Sequence, residues 1–223
     1  LLLEHPPVFT AGKRTEPHER PAAGGAPVVD VDRGGKITFH GPGQLVGYPI
    51  VDLKRHRQDL HWYLRQVEEA LVRGLAELGV RAGRSAGFTG VWTGDGQGAE
   101  FVPRRKIASI GVHARDWVTW HGFALNVSTD LSYFDLMVPC GIQSVEMTSV
   151  CRECQAPLPG VAEVGAAVTA GFGAVFSLLW GSTVDGWSAF DPSPVWIGAT
   201  VYLAIVGGGG EAARGWAIGR TLP

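Results

Sequence analysis

The chain has 223 residues, enough for one domain with a sizeable core, and 45% are hydrophobic against 18% charged, which excludes a disordered chain. With a net charge of −2, nothing global argues for nucleic acid or an anionic membrane as partner, and neither is expected. Three cysteines do not make a disulfide framework; with no secretory leader in view, a reducing cytoplasm is the expected compartment.

In chain order, short β-like runs occupy Leu1–Leu3, Val28–Val31, Ile37–His40 and Leu45–Val51, divided by Gly, Pro and charged residues. The chain opens inside the first run, so part of its domain is expected to precede it. A helix is predicted where Leu60, Leu64, Val67, Leu71, Leu75 and Leu78 recur three or four apart, with Asp59 as N-cap and Gly79 as stop. Strands follow at Val80–Ala82, Gly90–Trp92, Lys106–His113 and Val118–Val127. A second helix fits Val161–Phe176, with Val161, Val164, Val168, Phe172 and Phe176 on one face. Strands clustered around two helices predict an α+β fold, a mixed or antiparallel sheet with helices packed on it. A single domain is expected over residues 1–178. Residues 179–223 read as an atypical extension rich in Trp and Gly, whose apolar run Val195–Val206 is too short to span a bilayer.

The densest stretch is Asp32 to Tyr48, "DRGGKITFHGPGQLVGY". Gly34 and Gly35 allow a sharp turn or close approach to a ligand, flanked by Arg33 and Lys36. Ile37, Thr38, Phe39 and His40 then form a strand that Gly41–Gly43 breaks before Gln44–Tyr48 runs back, a hairpin-like platform. A Gly-rich hairpin with solvated charges is an equal reading. No phosphate-loop pattern occurs, and "GDGQGA" at Gly94–Ala99 reads as a surface loop, so nothing points to ATP or a nicotinamide.

Cys140 lies between Pro139 and Gly141, on a turn that would present its thiol. A thiol of pKa near 8.5 needs help to ionise. One ammonium about 4 Å away is worth roughly 4 kcal/mol at an effective dielectric near 20, an upper bound of about three pKa units. Lys106, at the start of an apolar strand, is the leading donor of that charge, with an edge lysine that deters aggregation as the plain alternative. Cys151 and Cys154 make a single CxxC, weak support for zinc or redox chemistry. His40 and His121 fall in strand-like runs and could line a pocket, whereas His5, His18, His56, His61 and His113 read as surface or loop residues. No histidine spacing marks a metal site.

"RGGKITFHGPGQLVGY" resembles the signature of the lipoyl(octanoyl) transferases, and "LLLEHPPVFTAGKR", "RKIASIGV", "HGFALN" and "VPCGI" resemble further blocks of that family in the same order. The resemblance covers about Leu1 to Phe176. It implies a biotin/lipoate-protein attachment fold, class II synthetase-like. It implies transfer of an octanoyl group from acyl carrier protein to a lysine of lipoyl domains, those of 2-oxoacid dehydrogenase E2 subunits and of the glycine cleavage H protein, with no cofactor or metal. By the same resemblance the acyl-thioester cysteine falls on Cys140 and the lysine lowering its pKa on Lys106. Substrate-binding stretches fall on Arg33, Gly34, Gly35, Lys36, Ile37, Thr38, Phe39 and His40, on Ser109, Ile110 and Gly111, and on Gly122, Phe123 and Ala124. Arg33, Lys36, Arg104 and Arg105 could meet an acidic carrier. A monomer is expected. The rival readings are an ATP-dependent lipoate or biotin ligase of the same fold and an inactive acyl- or carrier-binding protein.

Overall fold

The computed structural model describes residues 1–21, 25–96, 98–141, 145–155 and 157–181; for Cys140 and residues 177–181 it describes the backbone alone. The extension expected over 179–223 therefore lies almost wholly outside the described residues. The described residues form β1 (Leu2–Leu3), β2 (Val8–Ala11), β3 (Val28–Asp30), β4 (Thr38–His40), β5 (Gln44–Gly47), α1 (Leu60–Glu77), β6 (Ala82–Ser85), β7 (Phe88–Asp95), β8 (Val102–Arg115), β9 (Val118–Asn126), α2 (Val150–Glu153) and α3 (Val161–Gly181).

The first helix forms where its apolar period demands. The Asp59 side chain accepts from the Trp62 amide at 3.0 Å, and Gly79, at φ 72°, ends it. Val67, Leu71 and Leu75 on α1 are fully buried, as are Val164 and Val168 on α3. These stripes pack with Leu45, Val91, Ile107 and Leu125 from the sheet into one core.

That sheet has six strands in the order β1-β5-β9-β8-β7-β6, every neighbouring pair antiparallel. A smaller sheet, β3-β2-β4, contains the parallel pair β2–β3. The architecture is the expected α+β arrangement of mixed sheet and helices. One expectation fails: residues 32–48 do not form a hairpin. β4 pairs with β2, β5 pairs with β1 and β9, and Gly41–Gly43 carries the chain from one sheet to the other. Tight glycine turns are compatible with either path, and only long-range pairing separates them. A second cluster, Phe9, Ile37, Phe39, Leu131, Phe134, Met137 and Met147, packs against the small sheet. Among the described residues no helix is long and apolar enough to cross a membrane.

Candidate active site

A cavity of about 750 Å³ opens between the two sheets, within the size range of small-molecule sites. Val8 and Thr10 of β2 and Thr38 and His40 of β4 line one side; Lys106, Ser109, Ile110 and Gly111 of β8 and Gly122, Phe123 and Ala124 of β9 line the other. Arg33, Gly35 and Lys36 complete the expected residues in the lining, which also includes Gly141.

Strand alternation sorts the signature stretch. Lys36, Thr38 and His40 face the cavity, so Ile37 and Phe39 point the other way into the second core, 0% and 1% exposed. Gly34 is absent from the lining as well; its amide bonds the Val112 carbonyl at 3.0 Å. Those three depart from the expectation of direct substrate contact.

Arg33 is buried and turned inward. Its guanidinium donates to the Lys36 carbonyl at 2.7 Å, the Thr10 carbonyl at 2.6 Å and the Thr10 hydroxyl at 3.0 Å. It closes the Gly34–Gly35 turn. Lys36 forms an ion pair with Glu19, Arg104 pairs with Asp95, and Arg105 forks onto Glu153 through bonds of 2.9 and 3.0 Å. All four basic residues expected to greet a carrier are thus engaged within the chain.

His40 sits in a buried polar belt. The Gln44 amide nitrogen donates to the Phe39 carbonyl at 3.1 Å and to Asn126 Oδ1 at 2.9 Å, which leaves Gln44 Oε1 to accept from His40 Nδ1 at 2.9 Å. His40 Nε2 is then an acceptor for the Thr10 hydroxyl at 3.0 Å. Burial pushes the His40 pKa down to about 3 despite the opposing bond to Gln44. The ring is neutral with both nitrogens occupied, so it is a wall residue and not a base. Asn126 extends the belt to the Thr148 carbonyl at 3.0 Å.

Lys106 is 2% exposed. Its ammonium donates to the Thr89 carbonyl at 3.2 Å and lies 5.5 Å from the centre of the Trp92 ring. Gly90 makes the close approach possible: its φ is 134°, and a Cβ there would lie 2.6 Å from the Ala108 carbonyl and 2.8 Å from Lys106 Cε. Glu68 of α1, fully buried, accepts from the Gly90 amide at 3.0 Å and holds this cradle in place. The Lys106 backbone bonds the Glu146 carbonyl at 2.8 Å and the Thr148 amide at 2.9 Å, so the segment after the cysteine turn is laid along β8 at the lysine.

Pro139–Gly141 forms a single 3₁₀ turn. The Cys140 side chain lies outside the described part of the structure, but the flanking Gly141 is at the cavity wall. Cys151 and Cys154 do not line this cavity: their thiols meet the carbonyls of Pro159 and Leu78.

The cavity also takes in residues to which the sequence reading gave no site role, His5, Tyr48 and Thr10 among them. His5, read as a surface residue, packs its ring 5.5 Å from that of His40, and its Nε2 meets the Tyr48 hydroxyl at 3.1 Å. Burial lowers the His5 pKa and raises that of Tyr48. His5 and Thr10 carry no local signal, since their contacts span 43 and 30 residues, whereas Tyr48 closes the signature stretch without a role being readable from it. His121 lines the cavity as its strand position suggested, at φ 59°, with Nε2 on Asp32 at 2.6 Å.

A sequence model of the lipoyl protein ligase A/B catalytic domain matches residues 1–173. Among curated proteins, the chain is 54% identical over 159 residues to an octanoyltransferase of Salinispora tropica, covering 71% of this chain and 72% of that one. It is 56% identical over 154 residues to an octanoyltransferase of Mycobacterium sp. (strain KMS), covering 69% of this chain and 62% of the other. Of solved structures, a T. acidophilum protein regarded as a lipoate protein ligase, with bound lipoic acid, superposes with a TM-score of 0.62 at 18% identity, over 79% of this chain and 71% of that one. This last likeness speaks to the fold alone.

Proposed function

The chain belongs to the lipoyl protein ligase A/B catalytic domain family, and from that membership we propose that it is an octanoyltransferase of protein lipoylation that works through an acyl-thioester on Cys140. Curated relatives at 50–56% identity support octanoyl transfer, and the ligase-like fold agrees with it. The observation that carries the mechanism is geometric: Gly141 of the cysteine turn and the buried ammonium of Lys106 share the lining of one largely apolar cavity.

In the first half-reaction the Cys140 thiolate attacks the thioester carbon of an octanoyl group on a carrier. The new C–S bond forms as the old one breaks, and the carrier thiol departs with a proton. Lys106 keeps the cysteine ionised beforehand. In the second half-reaction a neutral lysine amine of a lipoyl domain attacks the same carbon. The C–N bond forms, the proton shed by nitrogen passes to the released sulfur, and an amide replaces a thioester. Splitting the reaction lets two proteins visit one cavity in turn. Acyl carrier protein is the proposed donor, and lipoyl domains of E2 subunits and the H protein are the proposed acceptors, in the cytoplasm.

The test is modification of a purified lipoyl domain, followed by mass spectrometry. Octanoyl-loaded carrier should suffice without nucleotide, and Cys140→Ser should abolish transfer while leaving the melting temperature near that of the native chain. Transfer that survives Cys140→Ser, or that proceeds from free octanoate only when ATP is added, would overturn this reading.

A further inference from the structure

The cysteine turn is fastened to a buried carboxylate that no step above uses. Glu19 ends the short Pro17–Glu19 turn and is 2% exposed. One of its oxygens is ion-paired with Lys36, whose side chain remains 32% exposed, and the other accepts from the Glu16 amide at 2.8 Å. The backbone carbonyl of Glu19 accepts from the Val138 amide at 3.3 Å, and the Val138 carbonyl accepts from Gly141 at 3.1 Å. Gly141 itself has φ 68°; a Cβ there would lie 2.7 Å from Lys36 Cε and 2.9 Å from Glu19 Oε1. Both members of the pair therefore press against the residue after Cys140, and Glu19's own backbone holds the residue two before it.

We propose that Glu19 is a positioning residue for the Cys140 turn: through its pair with Lys36 it pins residues 138–141 at the cavity wall and balances the lysine charge that lies against Gly141 of that turn. This rests on the reading that Cys140 carries the acyl group. The pair is the largest of the contacts that keep this buried carboxylate ionised. Burial pushes the Glu19 carboxyl up, but the Lys36 hydrogen bond and the Glu16 amide outweigh it, and the net pKa lies below the usual value. His18 and Glu16 flank it on its own turn, Lys36 faces it from the segment that follows the Gly34–Gly35 turn, and Lys106 lines the same cavity as Lys36.

Geometry of this kind matters because a nucleophile displaced by about 1 Å can lose about a hundredfold in rate. The experiment measures alkylation of Cys140 by iodoacetamide across pH in the full chain, read on the mapped Cys140 peptide. The single-turnover rate of acylation by an octanoyl-pantetheine thioester is measured alongside. Glu19→Gln keeps the shape and leaves the Lys36 charge uncompensated, so alkylation should shift to lower pH while acylation at saturating thioester falls by about tenfold or more. Lys36→Met should shift alkylation to higher pH. Shifts of opposite sign cannot come from general loosening of the fold. Profiles that superpose on the native one, or that move the same way in both variants, would overturn the proposal. Should Glu19→Gln fail to fold, Lys36→Met at the half-exposed member decides alone. A native chain that alkylates normally but never acylates would defeat the catalytic role of Cys140, while the alkylation profiles still judge Glu19.

Discussion

Lowering the pH should drain stability from this fold well before its carboxylates titrate, and His40 is the cause. The unfolded chain takes up a proton on this ring below its ordinary value of 6.5, whereas the folded chain refuses it until about 3. A folded pKa below the unfolded one in a base means that stability is full above pH 6.5 and is lost as pH falls towards 3. At 1.36 kcal/mol per unit, the loss between pH 7.5 and 4.5 is about 2.7 kcal/mol, a large part of a typical domain's margin. His5, whose pKa is also lowered by burial, adds in the same direction. Urea denaturation at pH 7.5, 6.0, 5.0 and 4.5 measures the slope, and His40→Gln, which removes the titrating ring but can still reach Thr10 and Gln44, isolates the share due to His40. The native stability should fall steeply while the variant's curve is flatter by about 2–3 kcal/mol over the same range. Parallel curves would refute the placement of a neutral, doubly bonded imidazole in this belt.

Three further outcomes are expected. Gly90→Ala should cost about 1–3 kcal/mol in urea melts from the strained backbone alone, and should also depress transfer, since the new methyl group collides with Lys106 Cε and the Ala108 carbonyl. Lys106→Ala should raise the midpoint of Cys140 alkylation by more than about one pH unit, bounded by about three, and an unchanged midpoint would remove the lysine from the mechanism. Leu71→Ala, at a fully buried position on α1, should lose about 2–5 kcal/mol without moving the alkylation profile, because its contacts lie in the helix-covered core and not in the cavity wall.

Where neighbours in the chain decide the structure, the residues were legible. The period of Leu64, Val67, Leu71 and Leu75 with Asp59 before it placed α1 to within a residue at either end. The strand containing Lys106 and the one beginning at Val118 emerged from their apolar runs, though β8 extends four residues further back than the run suggested. Pairing was not legible. Whether Gly41–Gly43 turns a hairpin or crosses between sheets depends on which strands β4 and β5 meet, and β2 and β9 lie far away in sequence. The cavity shows the same division. Motif order assembled Lys36, Thr38, His40, Lys106 and Gly111 around one space, yet it could not say that alternation turns Ile37 and Phe39 away from it. Nor could it mark Glu19, a buried acidic residue in a charged segment whose partners Lys36 and Val138 arrive from elsewhere in the chain.

The mechanism turns on where the octanoyl group rests between donor and acceptor. Octanoyl-loaded carrier mixed with the chain in the absence of any lipoyl domain, then digested and mapped, reads this directly. A hydroxylamine-labile octanoyl group on the peptide containing Cys140, chased off by adding the acceptor domain, is the predicted result. Rapid transfer with the acyl group found on no cysteine, or on Cys151 or Cys154 instead, would contradict it.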